Sequence, residues 1–495
     1  MARPFTQTRP QQPGLQHMIT DFHPTPPTPI QAELHATLDT QRTAYFLQPV
    51  PTLAERRADL LQLQKMVREN KDELVAAINA DYGSRSSHET LFAEIFPALD
   101  AIQHTLGHLK KWMKPQHRHV DLLNFFGAKN RVIPQPLGVV GVIVPWNFPI
   151  NLSILPLIYI FAAGNRAMVK MSENSRHLAR FLIEKSPAYF PRAKLAFFDE
   201  TGGVGIEFSK LKFDHLLFTG SGQTGKAVMA AAALNLCPVT LELGGKSPAI
   251  VCDDFPLQKA AERLLFVKLL NAGQICTTVD YLYLPQGKTA EFVAAAKTIV
   301  TQRYPDISGP DYTAIIDDKS FQRLTQALEE AEAGGATLVQ LTPGKRWDEA
   351  SRKIAPHIVL NAPADSVLLT REIFGPILPI KEYTRLEDAV AAINQGPRPL
   401  AFYPFSNNPD TVDMLLTRVM SGGVSVNDAL FHLAQHDLPF GGVGDSGMGH
   451  YHGYEGFITF SKLRPVFYQA RWSALKFMYP PYGKFASKYL AFLTR

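Results

Sequence analysis

The sequence predicts an α/β protein made of two units, each built on a parallel sheet. Three observations carry this expectation. Between about residue 138 and residue 426, short apolar runs alternate with helical stretches and no hairpin turn joins them. Strands linked by crossovers must lie parallel. The chain has 495 residues, and at roughly 100–200 residues per domain this length calls for two to four structural units. Finally, a glycine-rich segment, Gly220–Gly225, follows one apolar run and opens a helical one. A hydrophobic fraction of 46% with 19% charged residues excludes bulk disorder and supplies apolar material for sizeable cores. The net charge of +5 is small, and no block of like charges suggests a nucleic-acid surface.

The elements can be justified in order. Residues 1–30 carry seven prolines and no apolar core, so they read as a disordered leader and not as a secretory signal. From Gln31 to Pro115 the pattern is helical. Thr52 and Glu55 fit a capping box, and Ile95, Leu99, Ile102, Leu106, Leu109 and Trp112 step along one helix face. Val120–Val144 turns to β-branched runs broken by Pro134, Pro136 and Gly138. The uncharged stretch Gly138–Gly164 is long enough to span a bilayer. However, Pro145, Pro149 and Pro156 interrupt it, and Asn147 and Asn151 would need partners in lipid. A buried strand, a tight loop and a buried helix are expected there, with no membrane span. Strands are then expected at Ala167–Lys170, Leu195–Phe198, His215–Thr219, Val239–Leu243, Ala249–Cys252 and Tyr281–Leu284, and helices near Leu257–Asn271 and Ala290–Gln302.

The cysteines, Cys237, Cys252 and Cys276, are too few and odd in number for a disulfide framework, and a reducing, cytoplasmic setting fits them. No Cys or His spacing suggests a metal, and His117 and His119 flank an arginine as in a solvated loop. Gly220-Ser221-Gly222-Gln223-Thr224-Gly225, after the run Leu216–Thr219 and before a helix opening at Lys226, has the context of a dinucleotide fingerprint. An ordinary glycine turn competes with that reading. Glu242 lies near the distance expected of a ribose-binding carboxylate. Set in Thr240–Lys246, it is equally a general base raised by burial or the salt-bridge partner of Lys246 or another cation. Cys276, just past a helix, is a nucleophile or a small buried hydrophobe. Asn147, in the stiff loop Pro145–Pro149, is an oxyanion donor or a turn-stabilising asparagine. Cys237 and Cys252 are assigned to packing.

Together, Pro145–Pro149, Val169–Glu173, Phe218–Gly225, Leu241–Lys246, Gly273–Cys276, Glu372–Pro376 and Pro439–Gly449 resemble the NAD(P)-dependent aldehyde dehydrogenase superfamily, in family order over roughly residues 40–470. The tail Ser446–Gly453 and Tyr479-Pro480-Pro481-Tyr482 resemble its class 3 branch, and the bacterial coniferyl aldehyde dehydrogenases in particular. The resemblance implies Cys276 as nucleophile, Glu242 as general base, and Asn147 with the Cys276 backbone N–H as oxyanion donors. It implies that Lys170 and Glu173 meet the adenosine ribose, which overrules the ribose reading of Glu242. Gly220, Ser221 and Gly225 would serve the pyrophosphate turn, Trp146 would line the cofactor cleft, Glu372 would hold the nicotinamide ribose and Phe374 would pack beside the ring. Gly222 and Met171 depart from the threonine and proline usual at those places, which loosens the choice between NAD and NADP.

The implied architecture is a dinucleotide-binding domain (31–119 and 138–245), a catalytic domain (246–430), an antiparallel oligomerisation arm (120–137 and 454–470) and a C-terminal extension (471–495). Exposed arm edges favour a homodimer. The implied substrate is an aromatic aldehyde, with a medium- or long-chain aliphatic aldehyde as the rival. A cysteine esterase or acyltransferase, or an inactive NAD-binding scaffold, are the competing readings from other classes.

Overall fold

A computed structural model describes residues 28–122 and 124–495. The leader expected at residues 1–30 falls outside the described residues up to position 27, and its last residues are not leader. Thr28 and Gln31 cap each other's backbone N–H groups, and helix α1 (Pro29–Leu47) starts with proline at its first turn, where no N–H is needed. Helix α2 (Leu53–Glu69) carries the expected capping box between Thr52 and Glu55. Next come α3 (Lys71–Tyr82), α4 (Ser87–Thr90), a single π-helical turn at Leu91–Ile95, and α5 (Phe96–Trp112), which buries Ile102, Leu106, Leu109 and Trp112 of the predicted face, half-buries Leu99 and leaves Phe96 exposed.

Strands β1 (Gln116–Arg118) and β2 (Lys129–Pro136) begin a separate small sheet. His117 therefore lies in a strand and not in a loop, although it is exposed. Beyond β3 (Val139–Ile143), the chain crosses a short loop into α6 (Asn151–Ala163). Strand, loop and helix are almost wholly buried, as expected for Gly138–Gly164. Strands β4 (Arg166–Lys170), β5 (Leu195–Phe198), β6 (His215–Gly220) and β7 (Val239–Leu243) complete the first unit. The second contains β8 (Pro248–Val251), β9 (Tyr281–Pro285), β10 (Thr337–Gln340), the short pair β11 (Trp347–Asp348) and β12 (Lys353–Ile354), β13 (His357–Leu360), β14 (Ile377–Tyr383), β15 (Ala401–Phe405) and β16 (Gly423–Val424). Strands β17 (Gly447–Met448) and β18 (Ser461–Tyr468) close the series.

The first sheet runs β17-β7-β6-β3-β4-β5, parallel except for β17. The chain leaves β3 toward β4 and β5 on one side and later fills β6 and β7 on the other, so its topological switch point lies at β3. In open α/β sheets, ligands bind beyond the carboxyl ends of strands at such a point. The second sheet runs β10-β13-β14-β9-β8-β15-β16, parallel apart from its β10 edge. The arm, β1-β2-β18, is antiparallel throughout. The architecture is thus two α/β units with a small antiparallel arm. The cores of the two units meet where Leu152 and Leu433 pack against both. Among the described residues, no helix is long and apolar enough to cross a membrane.

Candidate active site

The seam between the two cores holds a cavity of about 230 Å3. Its inner end gathers side chains that are far apart in sequence: Asn147 from the loop after β3, Glu242 near the end of β7, and Cys276 ahead of β9.

The turn that presents Cys276 is strained. The helix expected over Leu257–Asn271 stops at Leu269, because Asn271, Ala272 and Gly273 take φ values of +52°, +50° and +74°. Only tertiary contacts hold a non-glycine residue there. The Asn271 N–H donates to Glu89 (3.1 Å), and its side-chain amide donates to the Tyr82 hydroxyl and to the carbonyls of Asn147 and Gln274, each at 3.2 Å. Gln274 donates to the carbonyls of Asn271 (2.9 Å) and Ala314 (3.0 Å) and accepts from the Ile316 N–H (3.0 Å). Asn147 belongs to the same network. Its carbonyl accepts from Tyr82 (3.1 Å), Arg85 (2.9 Å) and Asn271, while its side-chain NH2 donates to the Gln274 carbonyl (3.2 Å) and keeps a second hydrogen for the cavity.

The electrostatics follow from burial. Glu242 is 3% exposed and neither carboxylate oxygen has a partner among the described residues. Desolvation raises its pKa well above the ordinary carboxylate range. The alternative pairing with Lys246 is overturned, because the Lys246 ammonium is bound by Asp280 and by the carbonyls of Leu368 (2.9 Å) and Arg371 (3.1 Å). The Cys276 thiol is pushed up to about 12, first by burial and then by the carboxylates of Glu372 and Glu242, with its own and the Thr277 N–H opposing. Resting Cys276 is therefore a thiol beside a base of raised basicity. Cys237 and Cys252 are buried in apolar clusters, as expected of packing residues.

The other expected residues rim the same crevice. Gly220 ends β6, and the helix beyond it opens at Gly222 instead of Lys226, because the Ser221 hydroxyl accepts from the Thr224 N–H (3.2 Å) and caps an earlier start. A Cβ on Gly225 would come within 2.7 Å of Leu243 Cδ2, so the third glycine serves helix–sheet packing. Lys170, at the end of β4, pairs with Glu200, a partner not anticipated from the sequence. Glu173 is exposed nearby. Glu372 lies over the Gly244–Gly245 turn and accepts from the Gly245 N–H (3.2 Å); burial and Asp280 raise its pKa to about 8. Trp146 and Phe374 meet edge to face with ring centroids 5.4 Å apart, and Phe374 holds a φ of +52°.

An exposed helix N-terminus after Gly220, a lysine at a neighbouring strand end and a glycine turn beneath Glu372 fit a dinucleotide laid across the strand ends. Sequence reasoning missed Tyr451, whose buried hydroxyl has no partner among the described residues and faces the cavity with Glu242 and Cys276. It lay within the quoted tail, but only burial reveals it. Among the described residues, no group of three or more His, Cys, Asp or Glu side chains is placed to hold a metal ion.

Comparison with known proteins agrees with this geometry. The family model described as the aldehyde dehydrogenase family matches residues 26–466. The chain is 49% identical to a probable coniferyl aldehyde dehydrogenase of Pseudomonas aeruginosa, covering 92% of this chain and 95% of that one. It is 43% identical to a coniferyl aldehyde dehydrogenase of Pseudomonas sp. strain HR199, covering 89% and 92%. Among solved structures, the substrate-bound state of Staphylococcus aureus AldH matches with a TM-score of 0.88 at 33% identity, covering 93% of this chain and 99% of that one. The chain belongs to the aldehyde dehydrogenase family. It is an oxidoreductase acting on an aldehyde group with NAD or NADP.

Proposed function

We propose that the substrate is an aromatic aldehyde of the hydroxycinnamyl type, oxidised to its carboxylic acid through a thioester on Cys276. The observation that carries this reading is the unpartnered Glu242 carboxylate sharing a largely apolar, phenylalanine-walled cavity with Cys276 and Asn147. An aryl ring suits walls made by Phe148, Leu152, Leu155 and Phe440, and the names of the two Pseudomonas relatives point the same way.

Each residue has a separate duty in this mechanism. Cys276 gives its proton to Glu242 and its sulfur adds to the carbonyl carbon, so a C–S bond forms as the π pair moves onto oxygen. The Asn147 NH2 and the Cys276 backbone N–H hold that oxyanion. Lys170, Glu173, Gly220, Ser221 and Glu372 would hold NAD or NADP, with Trp146 and Phe374 lining the cleft, and the bound dinucleotide would accept the hydride that leaves the carbon as its C=O re-forms to give the thioester. Glu242 releases the thiol's proton to solvent and then takes one from water, whose oxygen attacks the thioester carbon; the C–S bond breaks, the acid leaves, and Glu242 returns its proton to the sulfur to restore the thiol.

The same proposal divides the chain at the boundaries given above. Among the described residues, the arm ends in unpaired edges at β1 and β18, with Phe467 and Tyr468 exposed, which supports a homodimer sealed edge to edge. Three free cysteines support a cytoplasmic setting. The test is a panel of cinnamaldehydes and saturated aldehydes assayed with NAD and with NADP. Higher kcat/KM for the aryl series is expected, and a preference for saturated chains sinks the substrate assignment.

A further inference from the structure

The active-site cavity carries ionisable side chains at two places. The first is the inner end, with Glu242. The second lies at the outer end, where Asp100 and His436 line the same cavity. The outward direction is given by exposure: Glu242 and Tyr451 are buried, whereas Phe92, Phe96 and Asp100 are exposed. The π-helical turn Leu91–Ile95 feeds directly into α5, and Phe96, Pro97 and Asp100 fall on its cavity side. Asp100 stands one helical turn, about 6 Å, beyond Phe96 along the helix axis.

His436 Nε2 and Asp100 Oδ2 are 2.8 Å apart. With the carboxylate accepting, the imidazole N–H donates. Asp100 Oδ1 then carries no hydrogen bond among the described residues, and the side chain is half exposed, so one acceptor remains available on a residue that lines the cavity. The ring of His436 is not free to wander. It stacks on His104 with centroids 4.8 Å apart, and His104 stacks on His108 at 4.2 Å. His108 in turn stacks on Trp112 at 6.0 Å, so the pair is anchored to a column of rings along α5.

The geometry points to the Asp100–His436 pair as the element that reads a hydroxyl at the far end of the substrate ring, Asp100 Oδ1 accepting the proton of a para-phenol while the aldehyde lies at Cys276. This rests on the aryl-aldehyde reading above and adds to it a specificity-determining site. Recognition by a carboxylate acceptor favours a phenol, which donates, over a methyl ether, which cannot. Ether and phenol feed the conjugated aldehyde similarly through the ring, so comparing them isolates the hydrogen bond from carbonyl reactivity.

The experiment measures kcat/KM for 4-hydroxycinnamaldehyde, 4-methoxycinnamaldehyde and cinnamaldehyde on the wild type, Asp100→Leu and His436→Phe. The expected result is a hydroxyl-over-methoxy ratio of about 10 in the wild type, the scale of one charge-assisted hydrogen bond, falling to near unity in Asp100→Leu and partway in His436→Phe. A ratio is insensitive to the active fraction, so partial misfolding does not imitate its loss. A wild-type ratio near unity, or a ratio retained in both variants, overturns the assignment of the pair. If no cinnamaldehyde is turned over while saturated aldehydes are, the aryl-aldehyde reading fails and takes the pair's role with it.

Discussion

The ammonium of Lys246 is committed to Asp280, so Glu242, close by on the same strand end, has no cation bonded to either oxygen among the described residues. A buried carboxylate with nothing to bind is costly, and its proton affinity rises in consequence. That affinity makes Glu242 useful next to a thiol.

Removing the sulfur should separate chemistry from binding. Cys276→Ala is expected to lower aldehyde turnover at least about a thousandfold, while dinucleotide affinity, measured by fluorescence titration, stays within a few-fold. Equal loss of both would contradict the assignment of Cys276 as nucleophile.

Glu242→Gln keeps the shape and removes the base. The first equivalent of reduced cofactor per subunit should still form in rapid-mixing experiments, more slowly than in the wild type. Subsequent turnover should slow about 100-fold. An unchanged steady-state rate would release Glu242 from the hydrolytic role.

Glu372 makes stability depend on pH. Its folded pKa is raised from the ordinary 4.5 to about 8, so the folded state holds this proton more tightly than the unfolded chain. The associated stability is fully present below pH 4.5 and is lost as pH rises through about 8. Glu372→Gln, which cannot ionise, should melt a few degrees higher relative to the wild type at pH 9 than at pH 5. A difference in Tm that does not change with pH would show that the carboxyl titrates elsewhere.

Gly273→Ala tests the turn before the nucleophile. Gly273 has a φ of +74°, and a Cβ there would run into the Gly375 carbonyl. Backbone cannot give way as a flexible side chain does, so a loss of about 2–4 kcal/mol is expected, visible in denaturant unfolding. Dehydrogenase activity should fall even at temperatures where the variant stays folded.

Much of the framework is readable from local pattern. Leu195–Phe198 and Val239–Leu243 are strands at the residues expected, the first because a continuous apolar run has little alternative to a buried parallel strand and the second because its apolar residues alternate at the two-residue period of a strand. The positions of Asn147, Glu242 and Cys276 follow from the resemblance, and the cavity gathers all three. What stayed hidden depends on distant partners. Nothing near Asn271 announces a left-handed turn, since Glu89 and Tyr82 impose it from the helical layer. The Lys170–Glu200 pair is likewise a product of neighbouring strand ends. Asp100 and His436 meet across 336 positions of sequence, beyond any spacing rule.

Strand β17 pairs Gly447 with Glu242 and Met448 with Leu241, and the Ser446 carbonyl accepts from the Leu243 N–H at 3.1 Å. The wall behind the base is therefore supplied by residues translated some two hundred codons after it. A chain cut short before Gly447 would therefore leave β7 with an open edge beside Glu242.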